Sequence, residues 1–300
     1  MPSLLQIIIL AIVQGLAELL PVSSSAHVVV AEKLMRLDPS MPVLDPSSPA
    51  MTLLLVMLHT GTMFAVIAYF WKQWKFTYFK DALSFKRFAI RAAWATILTG
   101  LIGYPISKII EKTVFRDAPK AQIEDLFSHL EWIAPALLAA GILIVIAGLM
   151  ERRRMGDFKS VSGDGVTMRQ AGWIGFIQGL CLPFRGFSRS GATISTGMLA
   201  GSSKERAERF SFALAVILTP PVVLRETLRL VKAVHGSPTG AAEIHAAFLT
   251  SLLGMVFAFL AGLVALKWLS SWLESGRWYL FGIYCIAASG FVFYLHTAGY

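Results

Sequence analysis

Charged side chains are scarce in this sequence. Asp, Glu, Lys and Arg make up 15% of its 300 residues, whereas a soluble domain carries about a quarter. That leaves too little polar surface to cover a water-soluble globule, and the bilayer is the natural solvent for the chain. Cysteine is nearly absent. Cys181 and Cys285 both lie in apolar runs, which excludes a disulfide framework and a thiolate zinc site. Acidic residues are outnumbered, 18 to 27, giving a net charge of +9. A nucleic-acid partner is excluded by where the basic residues fall: Lys72, Lys75, Lys80, Lys86 and Arg87 in one short stretch, Arg152, Arg153, Arg154, Lys159 and Arg169 in another, each beside an apolar run. That is the pattern of cytoplasmic loops. Finally, no Lys or Arg precedes the first apolar run. Leu4 to Val13 followed by Val22-Ser-Ser-Ser-Ala26 has the outline of a secretory signal, but it lacks the basic leader, and Gln14 and Glu18 interrupt it. The segment is therefore expected to be mature sequence.

What is present is hydrophobic length. Six runs are long enough to cross a bilayer as helices, near Met51–Trp71, Phe88–Ile110, Trp132–Met150, Ala207–Leu230, Ala246–Trp268 and Trp278–Thr297. Trp71, Trp132, Trp268 and Trp278 at their ends fit an interfacial aromatic belt. Two further stretches, residues 2–35 and 170–203, are interrupted by Pro21-Val-Ser-Ser-Ser25 and by Pro183-Phe-Arg-Gly-Phe-Ser-Arg-Ser-Gly191. Broken backbone at membrane depth must be buried in protein or line a wet cavity, so both are expected to be re-entrant helical hairpins. Ile12-Val-Gln-Gly-Leu16 matches Phe176-Ile-Gln-Gly-Leu180, and a serine-rich break follows each. The expected fold is an all-α polytopic membrane protein with six transmembrane helices and two re-entrant hairpins. It divides into two repeats, residues 1–150 and 151–300, each a hairpin plus three spans. An odd number of crossings per repeat inverts the second relative to the first. The basic loops 72–87 and 151–170 are expected inside. Both termini and the acid-leaning segment 32–49 (Glu32, Asp38, Asp45) then fall outside.

The polar residues within these stretches carry the chemistry. Gln14 and Glu18 are four apart and share one helix face. A carboxylate in an apolar run needs a partner, a hydrogen bond or a cation, so Glu18 reads as a metal ligand or general base, or as an ion-pair partner of Arg189. Ser23, Ser24 and Ser25 precede His27 where a second helix would start, and a helix start offers free N–H donors to phosphate. A Ser there could attack phosphorus; His27 could attack it or shuttle a proton. The bland alternative is that the serines cap a helix. Gly186-Phe-Ser-Arg-Ser-Gly-Ala-Thr193 places Arg189, with its planar fork of donors, between Ser188 and Ser190, with Gly191 letting backbone come close to a ligand and Thr193 one turn on. His59 reads as a packed histidine bonded to a carbonyl, and Glu151-Arg-Arg-Arg154 as a topology signal. Two helix starts, one Arg, one His, hydroxyls and a carboxylate suit a charged phosphate group within the bilayer, as a lipid-linked diphosphate would present. A secondary transporter or lipid-phosphate flippase is the rival reading, because broken helices and inverted repeats are also its hallmarks.

In span order and in two motifs the sequence resembles the undecaprenyl-diphosphate phosphatase (bacitracin-resistance) family. Gln14-Gly-Leu-Ala-Glu-Leu-Leu-Pro-Val-Ser-Ser-Ser-Ala-His27 is similar to the family's (E/Q)xxxE motif and its serine–histidine tail. Gly186-Phe-Ser-Arg-Ser-Gly-Ala-Thr193 is similar to PGxSRSxxT. The resemblance implies hydrolysis of undecaprenyl diphosphate, a polyprenyl lipid, to the monophosphate. It implies recycling of the carrier for cell-wall synthesis, bacitracin resistance, and a site opening to the periplasmic side of the bacterial plasma membrane. It implies Glu18, Ser24, His27 and Arg189 as catalytic residues, with attack by Ser24, His27 or water left open. Ser23, Ser188, Ser190 and Thr193 would contact phosphate, and Glu18 with Gln14 would hold a divalent cation, Mg²⁺ or Ca²⁺. A homodimer is compatible with it. Two positions depart from the family pattern: Gln14 stands where many members have Glu, and Arg185 where the motif has Pro.

Overall fold

The computed structural model describes residues 2–38, 41–42, 48–114, 129–154, 165–235, 240–274 and 276–299. Asp45 and residues 155–164 of the second basic loop, Lys159 among them, lie outside the described residues. Among the described residues the chain is all-α. It comprises α1 (Leu4–Leu19), α2 (Ser24–Met35), α3 (Pro49–Thr77), α4 (Ala82–Val114), α5 (Leu130–Arg154), α6 (Met168–Cys181), α7 (Arg189–Leu199), α8 (Lys204–His235), α9 (Gly240–Glu274) and α10 (Trp278–Thr297). Six of these, α3, α4, α5, α8, α9 and α10, are long and apolar enough to cross a membrane, and they are the six expected. All but α10 run past the apolar run that marks them. The reason is that a helix keeps its own hydrogen bonds after its side chains reach the headgroups, so Lys72 to Thr77 and Glu151 to Arg154 continue helices whose hydrophobic stretch has ended.

The other four helices form two short pairs. At 1.5 Å per residue α1, α2, α6 and α7 span only about 24, 18, 21 and 17 Å, short of the roughly 30 Å hydrocarbon layer. The chain breaks between α1 and α2, and again between α6 and α7, at the polar stretches expected from the sequence.

The chain forms two compact units, each drawn from both halves of the sequence. The first holds Met1–Leu19, His27–Tyr69 and Ala215–Trp268. Its core is Ile7, Leu10 and Ala11 of α1, Val28 and Met35 of α2, Met51, Leu54 and Leu58 of α3, and Ala258 of α9. Gly15 lets α1 lie directly on α9, since a Cβ there would stand 2.6 Å from the Ala261 methyl and 2.7 Å from the Ala258 carbonyl.

The second unit holds Leu20–Ala26, Phe70–Leu214 and Leu269–Tyr300. Here α5 runs along α10, α4 along α6, and α7 packs on both α5 and α6. A Cβ at Gly179 would stand 2.8 Å from both the Thr99 carbonyl and Ile102 Cβ of α4. Thr99, buried in that seam, shares its one hydroxyl proton between the carbonyls of Ala95 (2.8 Å) and Gly175 (3.0 Å) and accepts from Gln178 Nε2 at 3.1 Å. Of the four tryptophans read as an interfacial belt, Trp71, Trp132 and Trp268 are exposed. Trp278 is not: it is fully buried, because its indole N–H donates to Ser195 Oγ at 2.9 Å and its ring packs edge-on to Phe281.

α4 begins at a side-chain cap. Asp81 accepts from the Ser84 backbone N–H at 2.7 Å and from its hydroxyl at 3.1 Å. The Ser84 N–H is the main reason that the Asp81 carboxyl titrates below the ordinary aspartate range. With the folded-state pKa depressed, the cap's contribution is complete above the unfolded aspartate's pKa and disappears as pH falls through the lower folded value. Asp81→Ala is therefore expected to lower the thermal midpoint of the purified protein at neutral pH. The gap to the wild type should close in acid; a gap independent of pH would show that the charge contributes nothing.

Candidate functional site

The two breaks in the short helix pairs meet within the second unit. The break Leu20–Ala26 carries Ser23 with φ 71°, a left-handed conformation rare for a residue with a side chain. α2 starts at the next residue, Ser24. The opposing break uses Gly186, at φ 97°, whose Cα packs against the Ile133 carbonyl so closely that no side chain would fit. Its N–H donates to Ser25 Oγ at 3.3 Å, and Ser25 shares a hydrogen bond with Ser23 Oγ at 3.3 Å.

α7 starts at Arg189. Ser188 is its N-cap, accepting the Gly191 N–H at 3.2 Å. Ser190 donates to the Leu20 carbonyl at 3.2 Å, tying α7 to the other tip. Gly191 was expected to make room for a ligand; that room is taken by the Pro21 carbonyl and Ile144. Thr193 donates to the Arg189 carbonyl at 2.7 Å and lies 2.6 Å from Ser211 Oγ of α8. A threonine hydroxyl has one proton. With that proton directed at Arg189, Ser211 is the donor to Thr193.

Burial sorts the expected site residues into two sets. Ser23, Ser188, Ser190 and Thr193, expected to contact phosphate, are buried. Ser188, Ser190 and Thr193 bond to the protein's own groups. Ser24 and Arg189, expected to do chemistry, are half-buried. In the first unit Glu18 and His27 are likewise half-buried, and Gln14, which is buried, donates to Glu18 Oε2 at 3.2 Å along one face of α1. His59 is bonded to a carbonyl as expected, that of Leu55 at 2.9 Å, but its ring is exposed rather than packed. Glu151, read only as part of a topology signal, pairs with the buried Lys204 at 3.0 Å.

The residues missed from the sequence are Ser195 and Ser211. A signal for Ser211 existed: Lys204, Glu208 and Ser211 recur at the spacing of one helix face and are all buried, a polar stripe on an otherwise apolar span.

The family model for the bacitracin resistance protein BacA matches residues 7–291. The chain belongs to the bacitracin resistance protein BacA family. It is 55% identical over 292 residues to undecaprenyl-diphosphatase 2 of Acinetobacter baylyi, covering 97% of each chain. It is 31% identical over 298 residues to undecaprenyl-diphosphatase 2 of Burkholderia ambifaria, and 32% identical over 298 residues to undecaprenyl-diphosphatase 1 of Burkholderia pseudomallei, covering 96% of this chain and 95% of each relative. The BacA match takes in both breaks, the first five spans and the sixth as far as residue 291, so the bonded breaks belong to the part of the chain the family shares.

In this BacA protein the Thr193–Ser211 bond joins α7 to α8. Ser211→Ala should cost about 1 kcal/mol of stability, the net worth of one buried hydrogen bond. Thr193→Val should cost more, because it also strands the Ser211 hydroxyl. The double variant should cost less than the sum of the two. Thermal unfolding of the three proteins in detergent measures this, and simple additivity would show that the hydroxyls do not interact.

Proposed function

We propose that this protein is an integral-membrane phosphatase that hydrolyses undecaprenyl diphosphate to undecaprenyl phosphate and inorganic phosphate, recycling the lipid carrier for cell-wall synthesis and giving bacitracin resistance. Membership of the BacA family and near full-length likeness to proteins named undecaprenyl-diphosphatase support it. The structural observation that carries it is the start of α7. Arg189 stands half-exposed at the first position of a short helix, and the hydroxyls around it are bonded into the scaffold. A guanidinium at a helix N-terminus combines a bidentate donor fork with free backbone N–H groups, both suited to phosphate oxygens.

In this reading Arg189 clamps the transferred phosphoryl group and stabilises the charge that develops on it. Ser188, Ser190 and Thr193 fix the turn that aims it. Attack comes from Ser24 Oγ or His27, which leaves the phosphoryl group on the enzyme until water hydrolyses it to inorganic phosphate, or directly from a water that His27 deprotonates; in each case the anhydride P–O bond breaks and undecaprenyl phosphate leaves. Gln14 and Glu18 suit a divalent cation. Glu18 gives one carboxylate and Gln14 one amide oxygen, and among the described residues no cluster of three or more His, Cys, Asp or Glu exists. Such a set fits an ion that takes its other ligands from water and substrate phosphate, as Mg²⁺ does, or Ca²⁺, and not a closed protein cage. Bound there, the cation would offset the negative charge of the diphosphate.

The same reading takes α1–α2 and α6–α7 as re-entrant hairpins of an inverted repeat. The site opens to the periplasmic side, with the termini outside and the basic loops inside. Exchange of two such repeats pairs the first helix of each hairpin with the second span of the other repeat. The contacts of Gly15 with α9 and of Gly179 with α4 follow that rule.

Phosphate release from undecaprenyl diphosphate by the purified protein, measured against cation concentration, tests the assignments. Arg189→Lys keeps the charge but not the fork, and should lose about 2 kcal/mol of transition-state stabilisation, roughly thirtyfold in rate. Near-normal turnover would make Arg189 structural.

Glu18→Gln should be inactive at every cation concentration. Gln14→Glu adds a second carboxylate to the same face, and should stay active with less cation. An active Glu18→Gln, or an unchanged cation requirement in Gln14→Glu, would remove the carboxylate-bound cation from the mechanism.

A further inference from the structure

A histidine in the middle of a membrane span is costly unless both ring nitrogens find partners. His59 lies near the middle of the apolar run Met51–Trp71 of α3. Its Nδ1 sits 2.9 Å from the Leu55 carbonyl, an acceptor, so Nδ1 carries the proton. The ring makes no other hydrogen bond among the described residues. Thr60 and Thr62, the polar neighbours on the same turn, direct their hydroxyl protons back onto α3, to the carbonyls of Val56 (2.8 Å) and His59 (2.9 Å). His59 is left presenting one nitrogen, Nε2, outward.

That exposure is not on the lipid side of the helix. An α-helix turns about 100° per residue, so Thr52, Leu55, Met63 and Val66 stack above and below His59 on one stripe. Thr52, Leu55 and Met63 are half-buried, and Val66 is buried. The other exposed residues of the run, Phe64, Ala68 and Trp71, share a stripe on the far side of α3. His59 is therefore exposed on the covered side. An opening at that one turn accounts for both facts, and a free imidazole nitrogen there calls for water or a polar ligand.

α9 sets the depth of the opening within the first unit. Its Gly254 meets Ile7 of α1 with Leu54 and Leu58 of α3, and its Gly262 meets Leu19 of α1 with Ala65 of α3. The two levels are about 12 Å apart. Gln14, Glu18 and His59 all fall between them. α2 brings His27 to the same band: Val28 and Leu58 belong to one core, His27 precedes the first, and His59 follows the second. α9 carries no titratable residue from Gly254 to Gly262. The titratable groups that these four helices bring to the band are Glu18, His27 and His59.

We propose that His59 is a further substrate-contacting residue, whose Nε2 donates to an oxygen of the diphosphate bound beside Glu18. This rests on the function proposed above. Nδ1 stays with Leu55 in either protonation state, so Nε2 is the atom that changes. It is a lone pair when the ring is neutral and an N–H when the ring is charged. The negative charge of a diphosphate favours the charged form. His59 makes no bond to phosphorus; it holds and orients the head group.

Two measurements test this, and the first needs no turnover. His59→Cys and Phe64→Cys are reconstituted in liposomes with a water-soluble methanethiosulfonate reagent on both sides of the bilayer. The wild type, with Cys181 and Cys285, gives the background. The His59 variant should be modified, because a thiolate forms where water reaches; the Phe64 variant should not. Equal rates would put His59 against lipid and overturn the proposal. The second measurement is the pH profile of phosphate release from undecaprenyl diphosphate. His59→Gln keeps a neutral donor but cannot become charged. Its kcat/KM should fall about tenfold below the wild type at about pH 6, the scale of one charge-assisted contact. The gap should close towards about pH 8.5, where an imidazole is mostly neutral. His27 titrates in both proteins, so the ratio isolates His59. A ratio that does not change with pH would make His59 structural. A wild type that releases no phosphate would sink the proposed function, and the substrate contact with it, while the labelling would still show the opening.

Discussion

A helix that stops inside a membrane protein leaves backbone N–H and C=O groups that water cannot reach, and this chain stops two helices that way. The fold depends on how those groups are satisfied. The carbonyl of Leu20, freed where α1 ends, accepts from Ser190, and the N–H of Gly186, freed where α6 ends, donates to Ser25. The Leu20 carbonyl also accepts the Val22 N–H of its own break at 2.8 Å, so it is satisfied from both sides, and an unpaired group there would cost several kcal/mol in an apolar surrounding. The serine-rich composition of both breaks follows from this: a hydroxyl is the smallest side chain that can both donate and accept.

That mutual satisfaction also explains why so many hydroxyls in the two motifs face inward. Read as a string, Ser188, Ser190 and Thr193 look like phosphate contacts. Folded, they cap α7, reach Leu20 and reach Ser211. In the proposed function the contact with a ligand is left to the half-buried Arg189. A binding loop needs its donors pre-oriented, and these scaffold bonds fix the turn on which Arg189 stands.

The sequence made the spans legible because lipid imposes a simple rule: twenty or so apolar residues, flanked by charge and aromatic rings. It made the breaks legible because Pro21 and Pro183 stand beside serine- and glycine-rich stretches, whose residues favour turns and helix caps over a continuing helix. It misread Trp278, since an indole at the end of an apolar run looks the same whether it meets headgroups or Ser195. Ser211 was hidden for a different reason. Its role depends on Thr193, eighteen residues away, and one serine in an apolar helix carries no mark of its partner. Gly191 shows the limit of reasoning from residue type: the glycine does permit close approach, but the group that approaches is the Pro21 carbonyl and not a ligand.

The two short helix pairs share a Gln-Gly-Leu segment and use it differently, as Gln14 and Gln178 show. Both glutamines open that segment, and both are buried. Gln178 is fixed to Thr99 in the seam between α4 and α6, and the residue one turn on, where Glu18 stands in the first pair, is Leu182. The second pair therefore keeps the amide as a packing pin and offers no carboxylate. In the first, the amide turns to Glu18. A lone carboxylate in an apolar run is stable only with a donor or a cation beside it, and Gln14 meets that need at a neutral position where a second Glu would add like-charge repulsion. The Gln14 departure from the family pattern is thus self-consistent: it lowers the charge available to a cation and, by the same step, removes the repulsion that the cation would otherwise have to offset.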